Sequence, residues 1–171
     1  FNLYHYIWKV NSMQKQTATI LSAELSSFQP LVESLTSGEL TPLMSDIHAL
    51  IENYIRLHQG KINRYTGDTF LALFHAGNSA AKNALDAAFE LKDQLDSFVS
   101  DRKLEQQFNL KIGIATGGII ATDIGDAQKQ QTLMGEAVKH ATRISRFAGE
   151  GQLIADDKTL DGLTDDFVFQ K

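Results

Sequence analysis

The chain has 171 residues, of which 43% are hydrophobic, 22% are charged and two are proline, and these values fit one globular domain and exclude a disordered tail or a repeat array. It contains no cysteine, which excludes zinc-finger, iron–sulfur and thiol-nucleophile chemistry. The net charge of −5 argues against a nucleic-acid partner, and the absence of any apolar run near the roughly 20 residues that span a bilayer argues against membrane contact within this segment.

The first part of the chain predicts two strands and one long helix. Residues 3–10 alternate between apolar and polar side chains, which favours a strand, whereas residues 11–16 are polar and predict a loop. Residues 17–25 are rich in β-branched and aliphatic side chains and predict a buried strand. In residues 37–58 the apolar positions recur every three or four residues, as on one face of a helix.

Hairpins and helices alternate in the remainder of the chain. The pattern predicts two strands over 61–76 around the turn Thr66-Gly67-Asp68, a helix over 78–104, strands over 108–115 and 118–124 hinged at Gly117 and Gly118, a loop over 125–130, a helix from Gly135 to Gly149, and a strand over 152–155. This order favours an α+β fold, with helices on one face of a ferredoxin-like, mostly antiparallel sheet.

The domain boundary is predicted near residue 14. The chain begins at Phe1 without a signal-peptide pattern, so we expect a piece of a longer protein. Residues 1–13 are then a strand or linker, and residues 14–171 form one domain without an internal repeat.

Two carboxylates stand at the predicted strand ends. Glu24 follows an apolar run, and Asp68 lies in the hairpin turn. If their strands are neighbours in an antiparallel sheet, the two groups converge on one edge and supply the oxygen ligands that a hard cation such as Mg²⁺ prefers. Alternatively, Asp68 only forms the turn and Glu24 is solvated, because aspartate is common in turns.

Three cations lie on the last predicted helix at intervals of four and three residues. Lys139, Arg143 and Arg146 share one face, where like charges repel each other unless an anion lies between them. A bound phosphate would make this arrangement favourable. The alternative is a solvated helix face, on which Glu136 pairs with Lys139 or His140.

Several enzyme classes have no support in the sequence. There is no G-x-S-x-G elbow, no Walker loop and no G-x-G-x-x-G, which argues against an acyl-transfer hydrolase, a P-loop NTPase and a dinucleotide dehydrogenase. The five histidines form no pair at metal-ligand spacing and are interpreted as ordinary.

Four stretches together resemble the catalytic domain of class III nucleotidyl cyclases, the adenylate and guanylate cyclase family. Residues 20–28 (ILSAELSSF) resemble FADIVGF, residues 64–74 (RYTGDTFLALF) resemble K-F-I-G-D-x-x-M-A-V-F, residues 111–117 (KIGIATG) resemble R-I-G-I-N-T-G, and residues 132–156 (TLMGEAVKHATRISRFAGEGQLIAD) resemble T-V-I-G-D-T-V-N-L-A-A-R-L-E-S…G-Q-I-L-V-S. The resemblance covers residues 14–171 and implies this family's fold.

The resemblance also implies a cation site and a phosphate loop. Asp68 stands at the second metal aspartate, and Glu24 stands at the first, with one extra methylene. Mg²⁺ or Mn²⁺ is the implied cofactor of an active domain. Ser26 and Ser27 replace residues of the loop whose backbone amides approach the phosphates, including the family's glycine.

Four further positions resemble the family's substrate-contacting residues. Arg64 lies at the base-specifying position, which is lysine in adenylate cyclases and glutamate in guanylate cyclases. Thr132 lies at the second base-reading position, and the pair favours ATP over GTP. Lys139 replaces the asparagine that orients the ribose, whereas Arg143 matches the transition-state arginine. Arg143 and Lys139 are therefore the candidate catalytic residues.

Two functions from different classes follow from the resemblance. One is a cytosolic signalling domain of a larger protein that is catalytically impaired, dimerises with itself or with another cyclase domain, and binds ATP as a regulatory module. The other is an active adenylate cyclase, a phosphorus–oxygen lyase that forms cyclic AMP and pyrophosphate. A third, diguanylate cyclase, rests on the similarity of residues 64–70 (RYTGDTF) to R-Y-G-G-D-E-F, but the second glycine and the glutamate are missing.

Overall fold

A long strand, β1 (Asn11–Leu25), lies at the centre of the sheet and pairs with a neighbour on each side. The structure is a computed structural model, and it describes residues 11–75, 77–104, 108–123, 131–161, 163 and 167. The other elements are α1 (Phe28–Ser34), α2 (Ser37–Leu57), β2 (Lys61–Thr66), β3 (Thr69–His75), α3 (Ala80–Asp101), β4 (Leu110–Asp123), β5 (Gln131–Gly135), α4 (Glu136–Phe147), β6 (Leu153–Ala155) and α5 (Asp157–Leu160).

The sheet has the strand order β2-β3-β1-β4-β5, and β6 pairs with β4 outside this path. Every pair is antiparallel except β4–β6, which is parallel. The expected α+β fold with a mostly antiparallel sheet is therefore confirmed. The first and last strands of the path, β2 and β5, also approach each other, so the sheet is strongly curved.

One face of the sheet is covered by α2 and α3. Alternate residues of the central strands, among them Leu21, Phe70 and Ile112, pack there against buried side chains of the two helices. α2 begins at a capping box, in which Thr36 and Glu39 satisfy each other's polar groups. This face carries most of the hydrophobic core.

The opposite face is covered by α4. Ile20 and Leu73 pack there with Ala137, Val138 and Ala141. The expectation that the helices lie on one face is therefore wrong. Along β1 and β3, apolar residues of the second face alternate with apolar residues of the first. Because these strands are apolar on both faces, helices have to cover the sheet on both sides.

Several predicted elements differ from the structure. Residues 11–16 are not a loop but the first part of β1, and their backbone pairs with β4. The strands predicted over 108–115 and 118–124 are one strand, because Gly117 and Gly118 pair in register with Ala18 and Thr17 instead of forming a hinge. α1, β5 and α5 were not predicted.

Other predictions are confirmed within a few residues. They are the helices α2, α3 and α4, the hairpin β2–β3 and the short strand β6. The strand predicted over 3–10 and the loop predicted over 125–130 lie outside the described residues. Among the helices that the structure describes, none combines the length and the apolar character needed to cross a bilayer.

Candidate functional site

Glu24 and Asp68 occupy neighbouring positions at one end of the sheet. Glu24 is the penultimate residue of β1 and lies opposite Thr69, the first residue of β3. The Leu25 N–H donates a hydrogen bond of 2.9 Å to the Asp68 carbonyl oxygen, so the turn before β3 is tied to the end of β1. The antiparallel pairing of β1 with β3 thus brings Glu24 and Asp68 together at the same end of the sheet.

Lys111 forms an ion pair with Glu24. It is the second residue of β4, lies opposite Glu24 in register, and its Nζ is 3.5 Å from Glu24 Oε1. The side chains are 28% and 31% exposed, respectively. Glu24 therefore faces a lysine ammonium on one neighbouring strand and Thr69 on the other.

The donor chemistry of this edge fits a hard divalent cation. Asp68 and Glu24 are both partly exposed and supply carboxylate oxygens, which Mg²⁺ and Mn²⁺ prefer. Asp68 Oδ1 also accepts a hydrogen bond of 3.3 Å from the Thr69 hydroxyl. Among the described residues no cluster of three or more histidine or carboxylate side chains is placed to hold a metal ion, so such a cation would take its other ligands from water or from a bound molecule.

The loop after β1 is fastened at both of its serines. Ser26 is buried; its N–H donates to the Asn109 carbonyl at 2.8 Å and its hydroxyl accepts from the Asn109 N–H at 3.1 Å. Ser27 has a left-handed backbone, with φ of 56°, and its hydroxyl donates to Glu150 Oε1 at 3.1 Å. The Ser26 amide is therefore already used in a hydrogen bond and is not free for a ligand. The Glu150 carboxylate also lies beside the loop.

Lys139 and Arg143 lie on the solvent side of α4. The helix turns Ala137, Ala141 and Ser145 towards the sheet, and residues two positions after each of these project away from it. Lys139, Arg143 and Arg146 are all exposed, and in the described part of the chain none of them forms an ion pair. The predicted cationic face thus exists and is open to an anion.

The predicted base-reading residues lie on the two end strands of the curved sheet. Arg64 is exposed on β2 opposite Leu71, and Thr132 is half-buried on β5 opposite Thr122. Because β2 and β5 approach each other, the strands that carry Arg64 and Thr132 border one region of the surface.

Tyr65, beside Arg64, anchors β2 to α2. Its ring stacks on His48 with centroids 4.2 Å apart, and its hydroxyl donates to Glu52 Oε1 at 3.5 Å. Burial raises the pKa of the Tyr65 hydroxyl above its ordinary value near 10, and the charge of Glu52 raises it further. These contacts fix the strand from which Arg64 projects.

The model of the adenylate and guanylate cyclase catalytic domain matches residues 10–171, nearly the whole chain. The chain belongs to this family. An uncharacterized protein of Mycobacterium tuberculosis is 28% identical over 149 residues, which is 84% of this chain and 27% of that protein. A protein of Anabaena cylindrica named adenylate cyclase is 27% identical over 143 residues, which is 80% of this chain and 28% of that protein.

The fold of this cyclase domain matches that of a solved family member. The adenylyl cyclase CyaB from P. aeruginosa superposes with a TM-score of 0.85 at 18% identity, over 91% of this chain and 84% of that chain. By contrast, the chain spans only about three tenths of the length of the curated relatives it matches.

Within one chain of this cyclase domain, the candidate metal-binding and phosphate-loop residues lie apart from the candidate catalytic residues. Glu24, Asp68 and the serine loop lie at the end of β1, whereas Lys139 and Arg143 point away from the sheet on the far side of α4. The structure describes no hydrogen bond or ion pair that joins the two groups among its described residues.

Sequence reasoning missed two residues near Glu24 and the serine loop at the end of β1, namely Lys111 and Glu150. Lys111 begins the KIGIATG strand, and a signal for it existed: in an antiparallel pair, residues directly opposite share a face. Glu150 lies between Gly149 and Gly151 in the turn before β6, and nothing in its local sequence indicates a contact with Ser27.

Proposed function

We propose that this cyclase domain is a dimerising, nucleotide-binding regulatory module whose own cyclase activity is impaired. The arrangement of the candidate residues supports dimerisation. Asp68 lies at the sheet edge and Arg143 projects outward from α4, so one chain does not place both on the same ligand. A second copy, or another cyclase domain, that turns its α4 towards this edge would complete the site.

The exposed cations of α4 support binding of a nucleoside triphosphate. Lys139 and Arg143 lie on one helix face and form no ion pair with any described carboxylate, and a polyphosphate would relieve their mutual repulsion. Arg64 on β2 offers hydrogen-bond donors to a base, and a cationic donor suits the acceptor N1 of adenine better than the protonated N1 of guanine. The proposed ligand is therefore ATP.

The serine loop is the observation that carries the proposed impairment. The Ser26 amide is already bonded to Asn109, and the Ser27 hydroxyl is bonded to Glu150. A phosphate approaching this loop would meet a carboxylate, which repels it, and would find one backbone donor already used. Lys139 adds to the impairment, because an ammonium replaces the amide that orients the ribose in the family.

A divalent cation on Asp68 and Glu24 would supply neutralisation of the phosphate charge as the leaving group departs. The chain's own contribution would come from Arg143, whose guanidinium can form paired hydrogen bonds to phosphate oxygens. Positioning of the substrate by these residues and by Arg64 is most of what the protein would add to a phosphoryl transfer.

An active adenylate cyclase is the second candidate. It is favoured by the three unchanged family positions, Asp68, Thr132 and Arg143, and by the similarity to the protein of Anabaena cylindrica that is named adenylate cyclase. Under this alternative, Glu24 serves as the first metal ligand despite its longer side chain, and Lys139 contacts the phosphates instead of the ribose.

Two measurements on the same protein separate these candidates. Binding of a fluorescent ATP analogue, competed with ATP and GTP, tests the proposed nucleotide site, and no binding would contradict it. Formation of cyclic AMP from ATP and of cyclic GMP from GTP, with Mg²⁺ or Mn²⁺, tests activity. A turnover of roughly 1 per second or more, as is typical of enzymes, favours the active cyclase over the impaired module.

A further inference from the structure

Thr122 carries a buried hydroxyl group without a hydrogen-bond partner. The residue lies near the end of β4, is only 4% exposed, and no group in the described part of the chain bonds to its Oγ1. Buried hydroxyls in proteins are almost always paired, because the loss of their hydrogen bonds to water is otherwise not compensated. The free chain therefore bears an energetic cost at Thr122.

The two strands beside Thr122 differ in how they pair with it. On the β5 side, Thr122 lies directly opposite Thr132 in a regular antiparallel ladder. On the β1 side the register is interrupted, and β1 has two residues, Ser12 and Met13, where β4 has only Thr122. Such a bulge disrupts the ladder locally. The regular cross-strand neighbour of Thr122 is therefore Thr132, the candidate base-reading residue.

Thr122 and Thr132 share one face of the sheet. Their chain neighbours Ala121 and Leu133 pack beneath α4, so by alternation both threonines point to the opposite face. In a directly opposite pair the Cβ atoms are about 4.5–5.5 Å apart, a separation that permits hydrogen bonds between threonines. Thr132 is half-buried and Thr122 is buried, so a molecule that contacts this pair meets Thr132 first.

We infer that Thr122 is a positioning residue of the nucleotide site, and that its hydroxyl bonds to the Thr132 hydroxyl when a base binds there. In the free chain the two hydroxyls are not bonded to each other. A base that fixes the Thr132 side chain would supply Thr122 with its missing partner. The inference rests on the proposed function, since it concerns the base of the proposed nucleotide, and it adds a residue to that site.

The pair of hydroxyls can serve either purine. A hydroxyl donates one hydrogen bond and accepts up to two. With the amino group of adenine, Thr132 accepts from the base and donates to Thr122. With the carbonyl oxygen of guanine, Thr122 donates to Thr132, which donates to the base. Thr122 therefore supports binding of both purines, and the preference for adenine is left to Arg64.

Replacement of Thr122 by valine, which has nearly the same shape, tests this inference. Valine removes the unpaired hydroxyl from the free chain, so we expect Thr122→Val to raise the thermal midpoint without nucleotide by about 2–4 °C. The same change removes a hydrogen bond from the complex. Competition against the fluorescent ATP analogue should therefore show ATP and GTP each bound about fivefold more weakly. Thr122→Ser keeps the hydroxyl and should retain both affinities.

Thr19→Val is the matched control. Thr19 is also a fully buried threonine of the sheet, but its hydroxyl lies 2.9 Å from the Thr116 hydroxyl and is already paired. We expect this variant to have a lower thermal midpoint than the wild type and unchanged affinities for both nucleotides. The opposite signs of the two midpoint changes separate an unpaired hydroxyl from a paired one.

Several outcomes would overturn the inference. They are a lower midpoint for Thr122→Val, a loss of affinity confined to one nucleotide, and a loss of affinity in Thr122→Ser as large as that in Thr122→Val. If the wild type binds nucleotide and Thr122→Val binds it equally well, the role of Thr122 is wrong and the proposed nucleotide site stands. If the wild type binds no nucleotide, the proposed function is wrong and the role of Thr122 is wrong with it.

Discussion

The hydroxyl oxygens of Ser22 and Ser145 lie 3.3 Å apart and join the central strand β1 to the last turn of α4. Both residues are buried, and Ser22 pairs in register with Gly113 on β4. At Gly113 the backbone of β4 lies so close to the backbone of α4 that there is no room for a side chain between them. The orientation of the helix that carries Lys139 and Arg143 therefore depends on this contact.

Replacing Gly113 with alanine should destabilise the domain strongly. A Cβ at this position would lie 2.4 Å from the Ala141 carbonyl oxygen and 2.4 Å from the Ser145 amide nitrogen, and neither backbone atom can rotate away. We expect Gly113→Ala to lower the free energy of unfolding by about 1–3 kcal/mol or more, as over-packing does, measured by urea denaturation. Gly118→Ala, on the same strand but with open space around its Cβ, is the control and should be nearly neutral. Equal effects would contradict the close packing of α4.

Asp156 should be the most important side chain of the β6–α5 connection. Its Oδ1 accepts from the Thr159 N–H at 2.9 Å and from the Thr159 hydroxyl, and its Oδ2 lies 3.3 Å from His140 Nδ1 on α4. We expect Asp156→Ala to cost about 1–2 kcal/mol of unfolding free energy, because a helix cap and a partner of His140 are both lost. The exposed neighbour Asp157 provides the control, and Asp157→Ala should cost much less. If the two variants unfold at the same denaturant concentration, the cap is unimportant.

The elements that the sequence predicted well are those with one buried face and clear ends. α2 and α3 have long apolar stripes, and the β2–β3 hairpin turns at Gly67, whose φ of +62° only glycine adopts without strain. In these segments local pattern and tertiary environment agree, so the pattern alone is sufficient.

The elements that were missed depend on partners distant in sequence. Residues 11–16 are polar, yet they extend β1 because β4 pairs with their backbone. Gly117 and Gly118 predicted a hinge because glycine often marks a break in a strand. Glycine also adopts extended backbone, and pairing with β1 keeps both residues within β4. At the site, the sequence indicated that Glu24 and Asp68 converge if their strands are neighbours, but the ion pair of Glu24 with Lys111 and the contact of Ser27 with Glu150 depend on the strand register and on a distant turn.

Glu39 makes the start of α2 sensitive to acid. Hydrogen bonds from the Thr36 hydroxyl and the Thr36 N–H lower the pKa of the Glu39 carboxyl below 4.5. A lowered pKa in the folded state adds stability above the unfolded value, and that stability is lost as the pH falls through the folded value. We expect Glu39→Gln to be slightly less stable than the wild type at pH 7, and the difference to shrink as the pH falls below the unfolded-state pKa and through the lowered folded-state pKa of Glu39. A stability difference that does not change with pH would contradict the role of the charge.

Restoring the family residues at positions 24 and 139 should raise cyclase activity if these two side chains contribute to the proposed impairment. The double variant Glu24→Asp with Lys139→Asn returns both side chains to the family pattern, and loss of one aligned hydrogen-bonding group in such a site typically costs about 100-fold or more in rate. We expect the double variant to form cyclic AMP at least about tenfold faster than the wild type. The control Lys158→Asn removes an exposed lysine of α5 and should have no effect. If the double variant remains as slow as the wild type, the serine loop or another feature limits the rate.

Complementation between two variants would test whether each nucleotide site is shared between chains. Asp68→Ala removes the cation ligand at the sheet edge, and Arg143→Ala removes the guanidinium on α4. Each variant alone should bind the fluorescent ATP analogue weakly, because both sites of its homodimer lack one group. In a mixed dimer, one site combines the intact Asp68 of one chain with the intact Arg143 of the other, while the second site lacks both. Mixing the variants should therefore restore binding to at most half of the wild-type stoichiometry. If the mixture binds no better than the separate variants while sedimentation shows mixed dimers, the two residues do not meet across an interface.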